Sequence, residues 1–196
     1  MKVYVVYCHP SEKSFTAAAR DRALAGLAAA GHDVRVTDLY ADGFVPELSA
    51  WERTNHLSPP DTKPEIAEYA DSLHWCESLV FVYPTWWAGQ PAMLKGWIDR
   101  VWVAGVAYEL PEGATRIRPL LHNIRRLVVI TSHGSSKLVN SLEGEGGKRI
   151  VNRSLRVLCG KTARTKWLAL YNIDTSSVSK RTAHLDRVEK AMRTLR

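Results

Sequence analysis

Cysteine is scarce in this sequence. Cys8, Cys76 and Cys159 are the only three, and no two stand in a C-x-x-C spacing. An odd count without that spacing speaks against a disulfide framework or a zinc site and for a reducing, cytoplasmic setting. Long apolar runs are lacking as well. Stretches such as Leu127 to Ile130 fall far short of the roughly 20 residues that cross a bilayer, so membrane insertion is not expected. The opening MKVYVVYCHP has no small-residue cleavage site and reads as a buried strand, not a signal peptide. Neither a Walker pattern nor G-x-G-x-x-G occurs, so any phosphate site must be built differently. Acidic residues thin out late in the chain: residues 148–196 hold 13 of the 27 Lys/Arg but only 3 of the 20 Asp/Glu. That imbalance fits an anionic ligand, an acidic partner or simply solvated helix faces. Nucleic acid is set aside, because the basic quarter does not interleave aromatics for base stacking.

What is present is enough for one domain over residues 1–196, with 45% hydrophobic residues to form a full core. Strand-like and helix-like periods alternate, the signature of βαβ units and a parallel sheet. Strands are expected at Lys2 to Cys8, Val34 to Leu39, Ser78 to Tyr83, Arg126 to Thr131 and Thr165 to Tyr171. Helices are expected at Ser14 to Ala30, where Gly31 serves as stop, then Glu65 to Trp75, Met93 to Val103, Gly147 to Leu158 and Ser177 to Leu195. Two irregular connections remain: Ala41 to Asp61, with Pro46 and the pair Pro59-Pro60, and Tyr108 to Asn123. The expected architecture is a five-stranded parallel sheet of order 2-1-3-4-5 with helices on both faces.

In such a sheet the loops at the carboxyl ends of strands one, three and four meet. All three carry unusual residues. The first runs from Cys8 to Thr16, and its His9, Lys13, Ser14 and Thr16 at a helix N-terminus suit a phosphate, although Ser11 or Ser14 also suits an ordinary N-cap. The second, Pro84-Thr85-Trp86-Trp87-Ala88-Gly89, sets two adjacent indoles where a planar ring would lie; the alternative is that they fill the core or a dimer contact. The third is Thr131-Ser132-His133-Gly134, with hydroxyls and a close backbone approach at the glycine. Cys8 beside His9 reads as a buried strand-end thiol and not a nucleophile.

These residues carry a resemblance. The chain resembles the flavodoxin-like NAD(P)H:quinone oxidoreductases of the DT-diaphorase and modulator-of-drug-activity type, and it is similar to the ancillary flavoproteins of potassium efflux systems. The match rests on His9-Pro10-Ser11-Glu12 with Ser14-Phe15-Thr16, and on Asp38-Leu39-Tyr40-Ala41 with Phe44 and Pro46. It rests above all on Pro84-x-x-Trp87-x-Gly89-x-Pro91-Ala92-x-Leu94-Lys95-Gly96-Trp97 with Asp99-Arg100-Val101 and Ala107-Tyr108. It covers about the first 110 residues in register and loosens after Thr131.

The resemblance implies a flavodoxin-like three-layer sandwich and a flavin, with FAD favoured over FMN. It also implies NAD(P)H as electron donor, a quinone-like acceptor, ping-pong turnover and a homodimer. A regulatory flavoprotein docked on a membrane transporter is the second function it offers. Carried over position by position, His9, Ser14, Phe15 and Thr16 would surround the flavin phosphates and ribityl chain. Pro84, Thr85, Trp86 and Trp87 would lie beside the ring, and Thr131, Ser132, His133 and Gly134 at its edge. Trp87 and Tyr108 would line the acceptor pocket. No metal is implied.

Departures from the pattern put Leu110 and Ala88 where the family has aromatics, and Asn140 and Gly146 where it has a Tyr/His pair for the reduced flavin's charge. His133 or Lys137 would then act in their place. For the dimer, aromatics from Trp97 to Trp102 and the Ala41 to Asp61 connection are the expected surface. Arg149, Arg153 and Arg156 are expected on one helix face, where they would hold an NADPH 2′-phosphate or stay solvated.

Overall fold

The computed structural model describes residues 1–58 and 64–196. Its parallel sheet is built from β1 (Lys2–Tyr7), β2 (Asp33–Asp38), β3 (Ser78–Pro84), β6 (Arg126–Ser132) and β7 (Arg164–Leu170), in the order β2-β1-β3-β6-β7. This is the expected 2-1-3-4-5 order. Strands β4 (Tyr108–Glu109) and β5 (Arg118–Pro119) form a separate antiparallel ribbon inside the Tyr108 to Asn123 excursion.

The period of two in the central strands divides the core into two layers. Along β1 and the residue after it, Tyr4, Val6 and Cys8 face one layer, while Val3, Val5 and Tyr7 face the other. β3 and β6 alternate in the same sense: Leu79, Phe81, Leu127 and Val129 go one way, Val80, Val82, Val128 and Ile130 the other. The first face is covered by α3 (Ala67–Trp75) and α4 (Ala92–Val101), the second by α1 (Phe15–Ala29) and α7 (Val178–Arg193). Both faces are covered, and so β3 is buried at all seven positions.

Local chemistry explains the ends of α1. Ser14 accepts a hydrogen bond from Ala17 N at 3.0 Å, and Gly31, at φ +67°, closes the C-terminus as Gly31 N and His32 N donate to Ala28 O and Leu27 O. In the last turn of α1, a Cβ on Gly26 would lie 2.4 Å from Glu189 O, so glycine sets the close approach of α1 to α7.

Several expectations are corrected. The long connection after β2 contains α2 (Ala50–Thr54), started by a capping box between Ser49 and Glu52. Its end at Pro59, Pro60 and Asp61 lies outside the described residues. The helix expected over Gly147 to Leu158 is broken into α6 (Gly146–Arg149), a π-helical turn at Ile150–Leu155 and a 3-10 turn at Arg156–Leu158. It is preceded by α5 (Lys137–Leu142). The wider π turn changes the spacing on which a common face for Arg149, Arg153 and Arg156 rested. Trp97 and Trp102 are buried, not exposed: Trp97 meets Tyr4 and Phe81 edge-on at 6.3 and 6.0 Å. Cys8 is buried too, and burial pushes its thiol up to about 12, which removes it as a nucleophile at neutral pH.

Candidate functional site

The three marked loops do converge at the carboxyl edge of β1, β3 and β6. Thr85 N donates to Ser132 O at 2.8 Å, and the hydroxyls of Thr85 and Thr131 lie 3.0 Å apart, joining the second loop to the third. The His9 ring approaches Trp86 at 6.1 Å, joining the first to the second. The α1 N-terminus opens into this region. Because Ser14 caps Ala17 N, the amides of Phe15 and Thr16 remain at the helix's positive end. Glu12 would repel an anion there, but Arg20 holds it through two bonds of 3.0 and 2.7 Å and keeps its carboxyl below the ordinary range. Ser14 is therefore both the expected N-cap and part of a terminus that suits a phosphate.

The tryptophan loop is a tight turn of unusual geometry. Trp87 and Ala88 both have positive φ, 48° and 58°, between Trp86 and Gly89, which exchange two backbone hydrogen bonds of 3.2 and 3.1 Å. Two successive left-handed residues with side chains strain the backbone by roughly 1–2 kcal/mol each. Gly147 N donates to Ala88 O at 3.1 Å and Gln90 Nε2 to Gly147 O at 2.9 Å, so the Gly146-Gly147 segment braces the turn from outside. The turn holds Trp87 fully exposed at its tip and Trp86 half-exposed beneath it. Among the described residues, nothing hydrogen-bonds the amides of Trp87 and Ala88. Rigid aromatic surface and free amides beside an anion-suited helix end fit a planar, phosphate-bearing cofactor.

His133 gives the site its electrostatic character. It is buried, stacks on Tyr171 at 4.6 Å with 15° between the rings, and touches Thr85 Oγ1 at 3.5 Å. Burial lowers its pKa, outweighing a side-chain hydrogen bond with Asn140 and the charge of Glu145, so the imidazole is neutral near pH 7. Tyr171 and Asn172, the latter at φ +56°, were not anticipated; they follow β7, whose carboxyl end joins the same edge. Asn172 N donates to Ser135 O and Ile173 N to His133 O, tying the fourth loop to the third. Gly134 sits close to Asp174, whose Oδ2 would be 3.0 Å from an added Cβ. Asn140 is buried and bonds Ser135 and Ser136, so it positions the loop.

Tyr108 is not brought to these loops. It lines a separate cavity of about 240 Å³ with Leu48, Glu52, His56, Arg100 and Trp102, to which none of the three loops contributes. A polar cavity of about 720 Å³ lies farther off, beside β2. No group of His, Cys, Asp and Glu suited to a metal occurs among the described residues, and none of their helices is long and apolar enough to cross a membrane.

Comparison with known proteins gives a consistent picture. The family model described as a flavodoxin-like fold matches residues 1–194. An NAD(P)H:quinone oxidoreductase from Methanothermobacter marburgensis is 30% identical, with a TM-score of 0.81 over 100% of this chain and 96% of that one. The Streptococcus mutans UA159 protein Smu.1420 is 28% identical, with a TM-score of 0.86 over the whole of both chains. Guinea-pig (Cavia porcellus) NAD(P)H dehydrogenase [quinone] 1 is 29% identical over 162 residues, 74% of this chain and 58% of that relative. The chain spans about half the length of the first curated relatives it matches.

Proposed function

The chain belongs to the family of flavodoxin-like folds matched over residues 1–194, and from that premise we propose a flavin-dependent NAD(P)H oxidoreductase that reduces quinones or similar small acceptors. The observation that carries this reading is the convergence of the three loops on one sheet edge, joined by the Thr85–Thr131 contact and topped by the braced Trp86-Trp87 turn. Relatives named as quinone dehydrogenases and quinone oxidoreductases support the same activity.

A bound flavin would supply the hydride chemistry, accepting from the nicotinamide and returning electrons to the acceptor. The chain's own residues would do the rest. The Phe15 and Thr16 amides, with His9 and Ser14, would hold the phosphates at the α1 N-terminus. Pro84, Thr85, Trp86 and Trp87 would seat the ring, and donor and acceptor would alternate on one exposed face in ping-pong order. Thr131, Ser132 and Gly134 would bond its edge. His133, neutral and set between Asn140 and the Tyr171 ring that fixes its plane, would offer a hydrogen bond or take a proton where negative charge gathers. A Tyr/His pair would thus be supplied by Tyr171 and His133.

FAD is favoured over FMN, and mass spectrometry of the released flavin decides it. Purified protein is expected to be yellow and to bleach under argon with NADH or NADPH. A colourless protein that takes up neither flavin overturns the reading, and a flavin left oxidised by both nucleotides points instead to a transporter-docked regulatory subunit. Trp87→Ala is expected to reduce kcat/KM for quinones by about 1–3 kcal/mol, the scale of one lost aromatic platform. An unchanged value for every acceptor would transfer that role to Trp86.

The chain is further proposed to be cytoplasmic and homodimeric. With Trp97 and Trp102 in the core, the surface that supports a dimer is the α2 connection, where Val45, Leu48, Trp51 and Leu57 are exposed. Sedimentation at micromolar concentration is expected to show twice the 22.0 kDa chain mass. A purely monomeric species would contradict it.

A further inference from the structure

The edge of the sheet opposite the loops carries a different chemistry. Arg126 on β6 and Arg164 on β7 are direct partners in the parallel register, and Lys166 follows two residues after Arg164. All three stand in the alternation class of Val128 and Leu168, facing the α7 layer. The last turn of α7 and the residues after it bring Arg196 to the same place. Two adjoining cavities of about 290 and 340 Å³ open there, sharing Arg126, Leu195 and Arg196. Their floor is apolar, with Ala191 and Leu195 buried. Among the described residues, no ion pair joins Arg126, Arg164, Lys166 or Arg196 to a carboxylate.

We infer that this cleft binds a small ligand with two or more phosphate-type charges and an apolar body. Like charges directly opposed in register destabilise a sheet, so an anion set between Arg126 and Arg164 would relieve a repulsion built into the fold. Charged residues do guard exposed sheet edges against pairing with other chains. That role accounts for Arg164 and Lys166 on the edge strand β7. It does not cover Arg126, one strand inward, whose Nη1 donates to Arg125 O at 3.0 Å, or Arg196, which comes from another element. Guanidinium forks match phosphate oxygens in pairs, and an apolar floor of this extent suits a small molecule better than a long polymer.

The test uses the protein as purified, with whatever flavin it carries, and sodium tripolyphosphate as probe at low ionic strength. Calorimetry is expected to show binding that the double variant Arg126→Gln/Arg164→Gln weakens at least tenfold. Lys180→Gln, an exposed cation at the other end of α7, is expected to leave it unchanged. Without the probe, Arg164→Gln is expected to raise Tm by about 1–2 °C through relief of the like-charge pair, and the rise in Tm that tripolyphosphate gives the parent should disappear. Equal weakening by Lys180→Gln would reduce the cleft to diffuse basic charge. A lower Tm in Arg164→Gln would make that arginine structural. Binding of phosphatidylserine vesicles or of a single-stranded oligonucleotide, with none of tripolyphosphate, would assign the face to a macromolecule. Each of these overturns the inference.

Discussion

Gly96→Ala is expected to lower the unfolding free energy by about 3 kcal/mol and Tm by roughly 6–12 °C. A Cβ at this position in α4 would stand 2.2 Å from Pro46 O and 2.5 Å from Pro46 Cβ. The opposing atoms are backbone and a rigid ring, so neither side has a flexible end that can yield. The connection cannot simply lift away, because one turn further along α4 a second grip holds it. Arg100 Nε meets Glu52 Oε1 at 2.7 Å, its Nη1 donates to Val45 O, and its guanidinium lies over the Phe44 ring at 5.3 Å. Both members of that ion pair are largely buried, so detaching the loop would strand charge at a further penalty of several kcal/mol. Gly89→Ala is the internal control: its Cβ would meet only Trp87 O, at 3.8 Å, and Gly89 is not among the positive-φ positions. It should change stability by less than about 0.5 kcal/mol. Denaturant midpoints that move equally for the two variants would refute the packing argument.

The same helix shows which features are legible in the sequence and which are not. Leu94, Trp97, Ile98 and Val101 recur at intervals of three, one and three, the stripe of a buried helix face, and all four are buried. That spacing assigns Trp97 to the core, whereas the identity of an indole taken alone points to an interface. The strands were legible because Val3 to Cys8, Ser78 to Tyr83 and Arg126 to Thr131 are short, apolar and nearly continuous, as strands covered on both faces must be. The Ser49-x-x-Glu52 capping box was equally readable and marks α2. Other features depend on tertiary contact. The π turn at Ile150–Leu155 has the same apolar spacing as an ordinary helix over so short a span. Nothing local couples Tyr171 to His133, 38 positions earlier; only the parallel pairing of β6 with β7 brings their loops together. The site loops were found because topology places strand ends, whereas the contacts within them required the fold.

Acidification from pH 7 to pH 5 is expected to lower stability, with His184 alone contributing about 2 kcal/mol of the loss. His184 sits on α7 under the first turn of α1, 3% exposed, with Phe15 at 5.9 Å. Burial lowers its pKa to about 4, helped by the charge of Arg187, whose Nη2 lies 2.7 Å from Nδ1. Its Nε2 is buried without a partner, so no acceptor is in place to stabilise the charged ring. The unfolded chain takes up a proton on this histidine near pH 6.5, whereas the native state refuses it until about pH 4. Between those values the unfolded state binds more protons, and stability therefore rises with pH across the window. His133, whose pKa burial also lowers, adds in the same direction. The carboxylates act lower on the scale: hydrogen bonds to Glu12 from Arg20, to Glu77 from the Lys2 amide and to Glu189 from Arg22 hold their values below the ordinary range. Urea midpoints at pH 7 and pH 5 therefore report chiefly the histidines, His32 among them because burial lowers its pKa too, while Asp42, whose carboxyl pKa burial raises, works in the opposite direction. His184→Leu, which keeps the site apolar and filled, is expected to flatten the difference by about 2 kcal/mol. A variant that retains the parent's full pH dependence would mean that His184 titrates alike in both states. Because the ring underlies the start of α1, the acid-induced loss should begin at the proposed phosphate end of the site. Flavin release on lowering the pH should then precede global unfolding in the parent and be delayed in His184→Leu.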